Sequence, residues 1–541
     1  MNLRAAPGRR LPARPDRRRV DGRAAGTCAA DVVLDPQSVL TPEQVERWSS
    51  RSCVRAVLSP QAEAAMRESC ETMQRLRERG APIYGVTTGF GPFVRFSAGK
   101  QATHRHGLGL VNHLCAGFGP PAASPVVRAA MLVRARAVAG GHSAVSPEVV
   151  RGLLKLLEHD IVPEVPEVGS VGASGDLIPL AFVARALHGL GEVRWRGRRT
   201  TARTALRRCG IKPLRPAARD VLGLVNGTSF MTAYASLALC RATRLLGWAE
   251  RLTGWAYRLL GCRASALDDR LHEARGHPGQ RESARVILAE ASAFGPFEDP
   301  SRPLQEVYSL RCAPQFLGAC RDQLAYARQV IEREINGVND NPLFFGGGDD
   351  GSDGSVVHGG NFQGQQIAFA SDAINAAVTQ MAVLAERQVD TVLSPAHNGG
   401  APLLLAWEPG PCSGMAGAQI TATAVVADMR QHAYPAAVGS IPTNGGNQDV
   451  VSMGTNAARH AWGQTPRCAA VLAVLALSLH RLSDLRDRGR APGRRTPLPA
   501  WLPACRRFTR DVPLHGEIDR LARTLLETAP TAADGRAGLG G

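Results

Sequence analysis

Val168–Ala181 reads VGSVGASGDLIPLA, with Ala173, Ser174 and Gly175 set among glycines just before an apolar run. As local structure this is a helix N-terminus in which Ser174 or Asp176 caps, the glycines turn, and Leu177 to Leu187 packs. The triplet also carries the groups for a backbone reaction. Attack of the Gly175 amide nitrogen on the Ala173 carbonyl carbon closes a five-membered ring, and loss of the Ser174 hydroxyl as water leaves an exocyclic methylidene on an imidazolone. Gly175 permits the bend and bares its nitrogen, Ser174 supplies the leaving hydroxyl, and Ala173 is too small to obstruct closure. The product is a strong electrophile made from backbone, in a chain with no other cofactor motif.

Outward from this stretch the periodicity is helical. Thr41 to Arg79 has helical spacing and is broken by GAPIYGVTTGFGPF, Gly80 to Phe93; Val126 to Ala139 and Pro147 to His159 read as further helices. Ser229 to Arg275 lacks proline and repeats apolar positions every three or four residues, as does Gln315 to Asn336. Asn361 to Leu393 has no proline and no glycine after Gly364, which predicts a helix of roughly 45 Å at 1.5 Å per residue. Long Ala-rich helices bury themselves against one another, often across subunits, so the fold class expected is all-α, a long-helix bundle in an oligomer. The expected organisation is an Arg-rich arm over 1–31, a segment 32–228 with the triplet and the Tyr84 loop, a bundle over 229–526 and a loose tail over 527–541. GGGDDGSDG, Gly346 to Gly354, reads as a surface loop.

Composition narrows the function classes. At 541 residues, 44% hydrophobic and 21% charged, most of the chain should fold. The net charge of +17 comes almost wholly from Arg, the lysines being Lys100, Lys155 and Lys212. A GC-rich coding sequence gives that skew without selection for phosphate contacts. Prolines break the basic arm, which argues against a targeting helix. No uninterrupted apolar run reaches the ~18 residues of a membrane span, so no membrane partner is expected. Twelve scattered cysteines without CxxC, and an isolated His104/His106 pair, suggest a reducing compartment and no metal site.

Five loops join glycine turns to side chains able to do chemistry: YGVTTGFGP (Tyr84–Pro92), SVGASGD (Ser170–Asp176), LVNGTS (Leu224–Ser229), YSLRCAPQ (Tyr308–Gln315) and TNGGNQD (Thr443–Asp449). With these in this order the chain resembles the aromatic amino acid ammonia-lyases, the histidine, phenylalanine and tyrosine enzymes with their aminomutase relatives, over roughly Val32 to Leu526. The resemblance implies a 4-methylidene-imidazol-5-one (MIO) group formed from Ala173, Ser174 and Gly175, no metal, and a cytoplasmic homotetramer with shared sites. It implies Tyr84 as the base for the β-proton, a phenol that titrates near ~10 unperturbed. It gives Arg311 the substrate carboxylate and Tyr308 an assisting place at the amine and the electrophile; three residues apart on a helical turn, the two point one way. Asn226 would support the prosthetic group and the carboxylate, Gln448 would bond in the same pocket, and Asn444 and Asn447 would complete its lining. Asn336 and NDNP, Asn339 to Pro342, read as a structural turn nearby.

LVNHLCAGFG, Leu110 to Gly119, aligns with the selectivity region of that family, where tyrosine lyases resemble one another in His-Leu, phenylalanine lyases in Phe-Leu and histidine lyases in Ser-His. This chain has His113-Leu114. A histidine can hydrogen-bond a phenol, and a site built for that bond rejects the analogue lacking it. The expected reaction is therefore L-tyrosine to trans-p-coumarate, with a phenylalanine or histidine lyase as alternatives. Asp428, where histidine-type relatives tend to have Glu, and NFQG, Asn361 to Gly364, both weaken the histidine alternative. A tyrosine 2,3-aminomutase would use the same electrophile and base. A helical nucleic-acid-binding protein acting through the arm is the alternative from another class, disfavoured by the site residues, which leave no nucleic-acid partner expected.

Overall fold

The computed structural model describes residues 31–97, 103–347, 354–489 and 496–530. The arm over 1–30, most of the Gly346–Gly354 run and the tail beyond 530 lie outside the described residues. The fold is helical. Four long helices, Ser229–Leu260, Ala313–Asn336, Gln365–Leu393 and Gly454–Arg486, pack along one another, with Pro278–Ser292 wedged between the first two. Their burial is deep: Phe230, Tyr234, Trp255 and Tyr257, all on the Ser229–Leu260 helix, are enclosed. That helix needs no internal break because it has no proline, and it stops at Gly261, whose φ of 71° takes the left-handed cap.

The structure redraws two expected elements and adds a third that the sequence reading did not contain. Thr41 to Arg79 is two helices, Pro42–Ser49 and Pro60–Glu78, separated by a strand, Ala56–Leu58, that pairs in parallel with Val32–Leu34. Pro60 opens the second helix and the Ser59 hydroxyl accepts the Ala62 N–H as its cap. The Asn361–Leu393 run becomes helical only at Gln365, since Gly364 sits so close to Met231 that a Cβ there would overlap its thioether. Gly454–Arg486 went unread because Pro466 lies inside it; the Thr465 hydroxyl donates to the Trp462 carbonyl, which Pro466 cannot serve.

Short strands of three or four residues pin the loops, the largest set being Ile161–Pro163, Glu192–Trp195 and Arg198–Thr201. Gln365–Leu393 and Gly454–Arg486 have the length and apolar composition to cross a membrane, contrary to the sequence reading, but most of each is buried against the other helices. The eleven cysteines among the described residues are free thiols.

Close crossing of Pro278–Ser292 with Ala313–Asn336 depends on Gly318, where a Cβ would fall on the Gln280 backbone. Helix propensity alone would make Gly318→Ala stabilising by about 1 kcal/mol. Overpacking costs about 1–3 kcal/mol, and because the clash is with backbone it prevails. Thermal unfolding of Gly318→Ala should show a lowered midpoint.

Candidate active site

A cavity of about 1330 Å³ opens where the loops meet the ends of the long helices. Ala173, Ser174 and Gly175 line it, and so do Tyr84, His113, Leu114, Asn226, Asn444, Asn447 and Gln448, nearly all of the set that sequence placed there. Tyr308 and Arg311 are not among its lining residues. They sit together on a short helix, Tyr308–Arg311, with the guanidinium carbon 4.7 Å from the Tyr308 ring centroid and Tyr308 66% exposed.

The triplet is tightly folded. Gly175 has φ of 67° and Gly172 of 70°, both in the region that favours glycine, and a Cβ on Gly175 would fall on the Gly227 peptide. The Asp176 N–H donates to the Gly227 carbonyl at 2.7 Å. The Asn226 amide donates to the Ser174 carbonyl at 3.0 Å, and the Gln448 amide donates to Ser174 Oγ at 3.0 Å. A compressed Ala-Ser-Gly turn, its hydroxyl and its carbonyl each held by an amide, fits the requirements for an imidazolone made in place.

Asp176 takes the N-cap position of the Leu177–Leu187 helix, but its side chain makes no capping bond there. The fully buried Asp176 carboxylate instead accepts the N–H groups of Phe230 (2.9 Å) and Met231 (2.8 Å), in the first turn of the Ser229–Leu260 helix, and the hydroxyls of Ser170 (3.1 Å) and Thr455 (2.6 Å). Burial pushes its pKa up to about 6, against the pull of these donors.

Opposite the triplet, Tyr84 Oη accepts the Gly91 N–H at 2.7 Å. Burial raises the phenol above its ordinary value while the Gly91 bond lowers it, with burial the larger effect. Gly91, at φ of 55°, lies against the Asn444 side chain, so the 443–448 loop touches both the Tyr84 turn and Ser174. His113 contacts the Gly109 carbonyl through Nδ1 at 3.1 Å. In the tautomer with hydrogen on Nδ1, Nε2 is an acceptor.

Sequence reasoning missed His106, whose ring stacks on Phe90 at 4.3 Å and 7° and lines the same cavity. It lies seven residues before His113 on the Thr103–Leu114 helix, a same-face spacing that could have signalled it. Asn341 also lines the cavity, giving its N–H to Asn226 Oδ1 at 2.8 Å, so the NDNP turn reaches the site. Asn336 instead exchanges two bonds of 2.9 Å with the Leu40 backbone. Asp428 pairs at 2.7 Å with Arg467 and is not among the residues lining this cavity. Among the described residues no three His, Cys, Asp or Glu side chains gather as a metal site would require.

Residues 40–501 match the family described as aromatic amino acid lyase. The chain is 42% identical over 414 residues to a tyrosine ammonia-lyase of Cupriavidus metallidurans, covering 72% of this chain and 76% of that one. It is 39% identical over 465 residues to a histidine ammonia-lyase of Gloeobacter violaceus, covering 86% and 89%. The crystal structure of a tyrosine aminomutase from Streptomyces globisporus superposes with a TM-score of 0.82 at 35% identity, covering 92% of this chain and 96% of that chain.

Replacing Asp176 by Ala leaves two buried N–H groups and two hydroxyls without their acceptor, at a cost on the order of 3 kcal/mol or more. The variant should unfold at a clearly lower temperature than the parent, by calorimetry.

Proposed function

The chain belongs to the aromatic amino acid lyase family, and from that premise we propose that its cavity eliminates ammonia from L-tyrosine to give trans-p-coumarate. The observation that carries the choice of substrate is His113, a cavity-lining imidazole whose Nδ1 faces the Gly109 carbonyl. Nε2 is then the acceptor for a phenol hydroxyl, and a substrate without that hydroxyl leaves it unpaired. Leu114 packs the ring beside it.

The MIO group formed from Ala173, Ser174 and Gly175 supplies an electrophile that makes the amine a better leaving group. Asn226 and Gln448 hold the triplet's carbonyl and hydroxyl in place. Tyr84 takes the β-proton at Oη, and the Gly91 N–H stabilises the phenolate so formed. Asn444 and Asn447 offer amides to the substrate's polar end.

No Arg or Lys is among the described residues lining the cavity, so that lining offers the substrate carboxylate no cation. We place Tyr308 and Arg311 in the cavity of a neighbouring copy, within a homotetramer. Large exposed apolar residues, among them Phe118 (79%), Ile420 (70%) and Tyr434 (73%), support such contacts.

The likeness to a tyrosine aminomutase favours a second reading, in which the released amine returns at the β-carbon. Absorbance and chromatography of incubations with tyrosine, phenylalanine and histidine decide between them, with Ser174→Ala as the inactive control. A coumarate band with tyrosine supports the lyase; β-tyrosine in its place supports the mutase; turnover of histidine alone sinks both.

His113→Phe should lower kcat/KM for tyrosine at least roughly hundredfold relative to phenylalanine. Because the base acts deprotonated and burial raises the Tyr84 phenol, kcat/KM should climb with pH on the alkaline side. Tyr84→Phe should lose about 10²–10⁴-fold at every pH.

A further inference from the structure

Behind the Asn226–Gly227 segment, away from the cavity, lies a buried charge cluster that the proposed reaction does not use. Arg134 and Asp340 have side chains 1% and 0% exposed, and the Arg134 Nη2 lies 3.8 Å from the Asp340 carboxylate. Arg134 Nη1 donates to the Asn226 carbonyl at 3.1 Å and to Asn339 Oδ1 at 2.9 Å, while Nε and Nη2 have no hydrogen-bond partner. Asp340 also pairs with Arg219, which donates to the Asn341 carbonyl at 3.1 Å. A charge this enclosed, with two nitrogens unpaired, is costly for stability, so stability alone is a weak reason for its presence.

Its geometry points at the triplet. A Cβ on Gly227 would overlap the Arg134 guanidinium, and a Cβ on Gly175 would overlap the Gly227 peptide. Gly227 is thus in close contact with both the guanidinium and the triplet. Its carbonyl receives the Asp176 N–H, and the neighbouring Asn226 side chain receives the Asn341 N–H and donates to the Ser174 carbonyl.

We propose that Arg134, fixed by Asp340, is a positioning residue for ring closure at Ala173-Ser174-Gly175, acting through the Asn226–Gly227 peptide as a rigid backstop. The inference rests on the reading of the triplet as the source of an imidazolone. In closure the Gly175 nitrogen bonds to the Ala173 carbonyl carbon. The Ala173 oxygen leaves as water with the hydrogens of the Gly175 and Ser174 amides, and a carbon–nitrogen double bond forms between the Ala173 carbon and the Ser174 nitrogen. A second water takes the Ser174 hydroxyl and Cα hydrogen, leaving the methylidene; no oxidant is needed. Arg134 touches none of these atoms. It denies Gly175 the room to relax away from Ala173, and for an attack of this kind a ~1 Å misplacement costs about 10²-fold in rate.

The test is the intact mass of the full-length protein purified soon after synthesis, for the parent, Arg134→Met and Arg134→Lys, beside circular dichroism and thermal unfolding. The parent is expected to lack the mass of two water molecules. Both variants are expected to unfold cooperatively, with the dehydrated fraction reduced at least roughly tenfold, since lysine keeps a charge near Asp340 but its ammonium ends one bond short of where Arg134 Nη1 meets the Asn226 and Asn339 oxygens. If Arg134→Met does not fold, the lysine variant decides alone. A folded variant with the full two-water deficit overturns the role given to Arg134. A parent without the deficit overturns the reading of the triplet itself.

Discussion

The cavity wall depends on one buried carboxylate. Asp176 takes two N–H groups from the start of the Ser229–Leu260 helix and the hydroxyl of Thr455, in the first turn of the Gly454–Arg486 helix. A carboxylate is acceptor-only, with about four lone-pair positions, and Ser170 supplies the fourth donor. An amide in its place would turn two hydrogens toward donors. The positive end of a helix favours an anion there, which offsets part of the penalty of burying it. The triplet preceding Asp176 is therefore positioned by the two longest helices of the bundle rather than by its own loop. Chemistry that needs a strained turn gains from such support, because a turn fixed by its neighbours alone would relax.

Much of this was legible in the sequence. Helices without proline announce themselves, as Ser229–Leu260 and Gln365–Leu393 do. Pro466 concealed Gly454–Arg486, because whether a proline ends a helix depends on which group serves the orphaned carbonyl, and Thr465 does so here. The strand Ala56–Leu58 was hidden because its partner, Val32–Leu34, lies outside any helical window. The cavity residues Tyr84, Ser174, Asn226 and Gln448 were legible as motifs, since each sits in a short loop of unusual composition.

What sequence could not show is what those loops lean on. Asp176 reads as the cap of its own helix, whereas its donors Phe230 and Thr455 lie 54 and 279 residues away. Arg134, on an apolar helix in a chain crowded with arginine, carries no local signal of burial. Only the fold reveals that its partner is Asp340, inside a turn that sequence marks as merely structural. Periodicity assigns a side chain to a face; it does not say which distant carbonyl that face will meet.

Substrate binding poses an electrostatic problem for the described lining of the cavity. An amino acid substrate brings a carboxylate into a cavity whose described lining offers amides, hydroxyls, imidazoles and apolar groups but no guanidinium or ammonium. Enclosing a carboxylate without a cation costs several kcal/mol, which neutral donors offset only in part. On the proposed reading the cation comes from outside that lining. Arg311 suits the task because its planar fork matches a carboxylate in two bonds and because the Tyr308 ring, stacked at 4.7 Å, presents both side chains together. On the proposed reading, assembly is then a condition of binding rather than an aid to stability: the described lining holds the electrophile and the base, and Arg311 joins them when copies meet.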